Sequence, residues 1–299
     1  MMRNQPLHPE LTQQGDTATL SEHQAALRVL LRELDRVCKQ LEIPYYLFAG
    51  TLLGAVRHRD LIPWDDDLDI LMFRRDYERF LKEAPGLLDT SLFTLQGEGE
   101  PHWPMFFSKL RLNGTTCLEP YHPKDPVSHQ GVYMDIFPCD NAYSCSLLRK
   151  LQFICSKVII AKGLDARGYE TDSKAKKLFM LACRLLPRSP FHRIVRGPRK
   201  TGSFVHSFLG GASKYSHSVY PSACFGGTEH LPLGEERYPC PTGWAQLLEI
   251  LYGDYMRIPS EEERSCKKHA LLVDMTRDYT EYTGYRDGQV FETVTRSIR

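Results

Sequence analysis

Residues 61–70 read Leu-Ile-Pro-Trp-Asp-Asp-Asp-Leu-Asp-Ile, so Asp65, Asp66, Asp67 and Asp69 put four carboxylates within five positions. Like charges that close repel, and burying even one is costly unless something neutralises it. A divalent cation does so, and Mg²⁺ prefers one or two carboxylates completed by phosphate oxygens. Pro63 disfavours helix at Ile62. The alternation Leu68, Ile70, Met72 predicts a strand over Asp67–Met72, with Asp67 and Asp69 on one face and the apolar residues on the other.

Upstream, apolar residues at Ala26, Leu27, Leu30, Leu31, Leu34, Val37, Cys38 and Leu41 have helical spacing behind Ser21 as N-cap. Tyr45–Phe48 reads as a short strand, Ala49-Gly50-Thr51 as a turn, and Thr51–His58 as a helix. Downstream, Arg74–Lys82 is predicted helical. Pro104–Leu112 and Gly131–Phe137 alternate like strands, with Lys109 and Arg111 on one face of the first and Tyr133, Asp135 and Phe137 on one face of the second. The expected class is α+β.

The aspartates alone admit three readings. Asp65-Asp66-x-x-Asp69 has the D-D-x-x-D form of prenyl-chain synthases, which work from two facing helices; the strand pattern and the lack of a second copy oppose it. Asp67-Leu68-Asp69 is the D-x-D of sugar-nucleotide glycosyltransferases, a weak signal by itself. The third reading adds Gly50-Thr51, with Asp67 sixteen positions after Thr51. A small Gly-Thr turn at a helix N-terminus can hold phosphate through backbone N–H groups and a hydroxyl. The next strand then offers two carboxylates on one face, and Asp135 on a neighbouring strand is the candidate third. This order is that of the nucleotidyltransferase superfamily.

A more specific resemblance follows. Ala49-Gly50-Thr51-Leu52-Leu53-Gly54-Ala55-Val56-Arg57-His58 and Ile62 to Ile70 resemble the signature of the LicD family, as do Asp76-Tyr77, Lys109-Leu110, Met134 to Pro138, and Leu251 to Met256 with Pro259 and His269. That family includes bacterial phosphorylcholine transferases and the eukaryotic fukutin and fukutin-related ribitol-phosphate transferases. The resemblance implies a nucleotidyltransferase-like mixed sheet flanked by helices. It implies Asp67, Asp69 and Asp135 as ligands of Mg²⁺, or of Mn²⁺ in its place, with Asp65 as a further acidic contributor. Gly50 and Thr51 would cradle phosphate, and Arg57, His58, Lys109 and Arg111 would neutralise it. The donor implied is CDP-choline or another CDP-alcohol. The acceptor is a hydroxyl of a cell-surface glycan (teichoic acid, lipopolysaccharide or another polysaccharide precursor), and CMP is released. Trp64, Trp103, Tyr121 and Tyr133 are the aromatics near these motifs that could cage a quaternary ammonium. Transfer of an intact nucleotide and a non-catalytic binding module are the alternatives.

The chain has 299 residues, 42% hydrophobic and 25% charged, with net charge +1. This is a globular composition, and nothing in it calls for nucleic acid. The nine cysteines include no C-x-x-C pair and read as reduced thiols rather than a zinc site. No apolar run reaches the roughly 20 residues of a membrane span. The expectation is a cytoplasmic protein, peripheral at the inner face of a membrane. The neutral total conceals a basic segment: residues 146–200 hold 14 Lys or Arg against 3 Asp or Glu, a local balance of +11. Amphipathic helices at Leu147–Ile160 and Lys174–Leu186 then suit either a solvated face or contact with anionic lipid or a lipid-linked acceptor. The expected divisions are an arm at 1–19, a catalytic core at 20–141, a basic helical subdomain at 142–209, a C-terminal part packing on the core at 210–280 and a flexible tail at 281–299.

Overall fold

The computed structural model describes residues 18–299 except 101, 120–127, 168, 170, 211–213, 266–269, 271, 287–288 and 294–299. Residues 1–17 of the expected arm, Tyr121 and His269 therefore lie outside the described residues. The class is α+β, as expected.

Helix α1 (Leu20–Leu41) buries Leu27, Leu30, Leu31, Leu34 and Val37 completely. Its cap is Thr19 rather than Ser21. Thr19 accepts from the Glu22 N–H while the Glu22 carboxylate accepts from the Thr19 N–H, a reciprocal pair that satisfies two otherwise orphaned donors. Strand β1 (Tyr46–Leu47), helix α2 (Ala49–Arg57), strand β2 (Asp69–Phe73) and helix α3 (Arg74–Glu83) follow. Strands β3 (Phe93–Gln96), β4 (Ser108–Leu112), β5 (Thr116–Leu118) and β6 (Tyr133–Asn141) complete the first half.

The main sheet runs β1-β2-β6-β4-β3. Only β2 and β6 are parallel; the remaining pairs of this row are antiparallel. Ile70, Met72, Leu110, Met134 and Ile136 are fully buried on the face covered by α1 and α3, where the Tyr77 hydroxyl of α3 meets the Ser108 hydroxyl at 2.5 Å. Residues in register with one another share a face, so Asp69, Asp135 and Lys109 all lie on the opposite one.

Beyond β6 come α4 (Ser146–Ala166), α5 (Lys174–Arg184) and α6 (Arg188–Arg196). The sequence pattern anticipated the first two and missed the third. Strands β7 (Phe204–His206) and β8 (Val219–Pro221) extend from the far end of β6. The hairpin β9 (Thr228–Leu233) and β10 (Glu236–Pro241) turns at Gly234, whose φ of +68° suits glycine. Helices α7 (Trp244–Tyr252) and α8 (Glu261–Ser265) and strand β11 (Leu272–Asp274), which pairs with β5, follow. Within the stretch read as a flexible tail, β12 (Tyr282–Arg286) and β13 (Gln289–Thr293) form an antiparallel hairpin. Short strands such as these carry too few residues for a periodicity to register.

Gly54 shows how tightly α2 is held. A Cβ there would stand 2.5 Å from the Asp60 carbonyl oxygen and 3.1 Å from the Ile62 nitrogen, both backbone. Gly54→Ala must push the aspartate-bearing loop off α2, and we expect about 1–3 kcal/mol of destabilisation. An unchanged urea midpoint would contradict this packing.

Candidate catalytic site

Four strands contribute to one row. Asp69 of β2 is the register partner of Asp135 of β6, Asp135 of Lys109 of β4, and Lys109 of Gln96 of β3. Neighbouring strands lie about 4.8 Å apart, so the two carboxylates and the ammonium issue from adjacent points of one face. Lys109 Nζ stands 3.1 Å from Asp135 Oδ1, but out of hydrogen-bonding direction, leaving that buried oxygen without a hydrogen-bond donor.

The loop before β2 adds two more carboxylates. Asp67 lies in the extended approach to β2, not within it as expected, because ladder pairing begins at Asp69. A Cβ on Gly50 would stand 2.9 Å from Asp65 Oδ2 and 3.8 Å from Asp67 Oδ1. Both side chains therefore come to the first turn of α2, where the positive end of the helix dipole favours anions. Gln24 of α1 fixes the loop by donating to the carbonyls of Ile62 and Asp65, each at 2.9 Å. Asp66 turns elsewhere: its carboxylate accepts from the Ala270 N–H at 3.3 Å.

Gly50 and Thr51 lie inside α2 rather than in a turn before it. The helix begins at Ala49, whose φ of +44° is unusual for a residue with a Cβ. Such strain is characteristic of functional sites. The buried Thr51 hydroxyl accepts from the Asp69 N–H at 2.8 Å. Thr51 thus sets the start of β2, and with it the position of Asp69, instead of standing open as a phosphate cradle.

Burial and the charges of Asp67, Asp135 and Asp65 push the Asp69 carboxyl well above the usual range, with Lys109 pulling the other way. Asp135 is also raised, by burial against the pull of Lys109. The pull of Lys109 does not bring either Asp69 or Asp135 back to the usual carboxylate range. Among the described residues no three His, Cys, Asp or Glu side chains form a ready-made metal centre. Two adjacent carboxylates with an unsatisfied oxygen nevertheless match Mg²⁺, which draws its remaining ligands from water and substrate phosphate.

The cations expected to hold phosphate are mostly committed to the fold. Lys109 is buried, 3.4 Å from Glu119, with its ammonium 3.0 Å from the centre of the Tyr133 ring and 5.5 Å from that of Trp103. Tyr133 and Trp103, candidates for a choline cage, are thus buried around a lysine. Burial pushes Lys109 below the usual lysine range while Asp135 and Glu119 oppose it. Arg111 is buried and donates to Gln96 Oε1 at 2.7 Å and the Gly131 carbonyl at 2.8 Å. Arg57 Nη1 donates to the carbonyls of Tyr255 and Arg257, both at 3.0 Å, tying the chain after α7 to α2. His58 packs edge-on to Trp64, and burial followed by the charges of Arg57 and Arg264 lowers its pKa.

Residues the sequence did not single out complete the rim. Arg264 of α8 stacks 4.0 Å over Trp64, beside Arg57 and His58. Tyr252 ends α7, which packs on α2. Burial and then the charges of Asp69, Asp67 and Asp65 push its phenol up, so it stands in the field of the cluster. Its signal in the sequence was the Leu251–Met256 motif, where Asp254 proves to be an exposed turn residue. Glu119, between Lys109, Arg167 and the Tyr133 hydroxyl, left no such signal.

A cavity of about 670 Å³ lies elsewhere, lined by Tyr77, Glu98, Phe106, Arg188, His192 and Arg196 among others. It adjoins the far ends of β2 and β6, where Arg74 binds Asp140 through two contacts of 2.8 and 2.7 Å, and it does not include the carboxylate row.

Comparison with known proteins centres on the same residues. Residues 42–103, from β1 past the aspartate loop, match the model of the LicD/FKTN/FKRP nucleotidyltransferase domain. The lipopolysaccharide cholinephosphotransferase LicD of Haemophilus influenzae is 26% identical over 261 residues, covering 82% of this chain and 94% of that protein. The ribitol 5-phosphate transferases FKRP of mouse and human are each 43% identical over 116 residues, 37% of this chain and 23% of theirs. Residues 42–103 thus match the nucleotidyltransferase domain of the LicD/FKTN/FKRP family, and the chain is similar over most of its length to a LicD cholinephosphotransferase.

Proposed function

We propose that this protein transfers phosphocholine, or a closely similar phospho-alcohol, from a CDP-linked donor to a glycan hydroxyl with Mg²⁺ as cofactor. The observation that carries the reading is the in-register pair Asp69 and Asp135, joined by Asp65 and Asp67 at the start of α2. Its relatives transfer choline phosphate and ribitol 5-phosphate, which supports a phospho-alcohol as cargo.

Asp69 and Asp135, with Asp67, would hold the Mg²⁺, which supplies positive charge against the donor diphosphate. Asp65 and Asp67 sit where the N-terminus of α2 stabilises them as anions. The acceptor oxygen bonds to the phosphorus bearing the alcohol, and the bond from that phosphorus to the bridging oxygen breaks. CMP departs with that oxygen, and the hydroxyl proton passes to a carboxylate of the cluster. Positioning and charge supply most of such a rate enhancement. Tyr252 stands in the field of these carboxylates and is suited to orienting donor or acceptor.

Incubation with Mg²⁺, acceptor glycan and CDP-choline, CDP-ribitol or CDP-glycerol in turn should release CMP, with CDP-choline preferred. Transfer of a labelled nucleoside to the acceptor would overturn the reading in favour of nucleotidyl transfer.

A further inference from the structure

Helix α4 carries an apolar stripe at Leu147, Leu151, Ile154, Val158 and Ala161, spaced by four and three residues and hence on one side of the helix. Its second half is covered: Val158 and Ala161 are buried against Met180 and Cys183 of α5. Its first half is bare, with Leu147 75%, Leu151 44% and Ile154 61% exposed. Helix α5 repeats the feature. Met180 and Cys183 face inward, while Leu178, Leu181 and Leu185 form an outward stripe 68%, 55% and 88% exposed. Scattered exposed leucines are ordinary, but outward stripes on two consecutive packed helices are not.

Lysines predominate among the charges beside these stripes, where Asp165 is paired with Arg184 and Asp172 is the exposed acid before α5. Lys150, Lys174, Lys176 and Lys177 are exposed and form no ion pair among the described residues. Apolar stripes rimmed by lysines are the form of a surface lying in a membrane interface, with leucines among the acyl chains and ammonium groups at anionic headgroups. No described helix is long and apolar enough to cross a membrane, so this contact is peripheral. We propose that the outward stripes of α4 and α5 dock the protein on an anionic lipid surface. The charge complementarity of the lysines selects that occupant over an apolar protein groove.

The test is sedimentation of the full chain with phosphatidylcholine vesicles and with vesicles of phosphatidylcholine mixed with phosphatidylglycerol. The wild type is expected to sediment with the mixed vesicles and much less with the neutral ones. Leu147→Asp/Leu151→Asp/Ile154→Asp should weaken that binding by roughly tenfold or more, and Lys174→Glu/Lys176→Glu/Lys177→Glu should remove the anionic preference. These side chains are exposed, so circular dichroism and CMP release without vesicles should match the wild type. Equal sedimentation with both vesicle types, or unchanged binding by both variants, would overturn the proposal. So would a wild-type dimer in light scattering that the aspartate substitutions dissociate, since the stripes would then join two copies of this chain.

Discussion

Asp69→Asn should lower CMP release on the order of a thousandfold while leaving a folded protein that is more stable than the wild type without metal. Both effects have one origin. The Asp69 carboxylate is buried beside Asp67, Asp135 and Asp65, and that arrangement favours its neutral form. Asparagine keeps the shape and removes the repelling charge. The pH dependence carries the sign. Because the folded carboxyl binds its proton more tightly than the usual aspartate value of 3.8, its contribution is intact below that value. It is lost as pH rises through the raised folded value. The stability gap between Asp69→Asn and wild type should therefore widen with rising pH across the weakly acidic range. Added Mg²⁺ should raise the melting temperature of the wild type and not that of the variant. Near-wild-type turnover by Asp69→Asn would remove this residue from the chemistry. A variant less stable than wild type at neutral pH would show that the cluster is already neutralised.

Lys109→Met should act on stability first. The ammonium is enclosed by the Tyr133 and Trp103 rings and lies between Asp135 and Glu119, at 3.1 and 3.4 Å. Glu119 retains Arg167 at 2.9 Å, whereas Asp135 loses Lys109, the cation that acts on it most strongly, and keeps the weaker influence of Arg111. Removing one partner of a buried pair leaves an uncompensated charge and costs about 3–5 kcal/mol. The double variant Lys109→Met/Asp135→Asn should recover much of that loss, since it deletes both charges together. Denaturant titrations of the two single variants and the double variant measure this coupling. Additive losses would mean that Lys109 serves the fold through its aromatic contacts rather than through Asp135.

How far the site was legible in the chain depends on which residues are asked about. Asp67, Asp69, Asp135, Gly50 and Thr51 stood out because their chemistry is unusual for their spacing, and all five gather around one end of β2 and the start of α2. Their local settings were harder to read. Gly50 and Thr51 looked like a turn because glycine is a poor helix former, yet packing against Asp65 and the loop over Gly54 holds them in α2. Arg111 looked available because it alternates with Lys109. The register with Tyr133 and the donors it gives to Gln96 and Gly131 are long-range facts that no local pattern contains.

The division has a physical basis. Side-chain chemistry and alternation are properties of neighbouring residues, so the sequence by itself determined the carboxylate inventory, the main helices and the strand bearing Asp69. Whether a charge is spent or remains for a ligand depends on which strands lie side by side. Only the parallel pairing of β2 with β6 set Asp135, sixty-six positions away, next to Asp69. Only the antiparallel pairing of β4 with β6 turned Lys109 from a phosphate-binding candidate into the buried counter-charge of that same carboxylate.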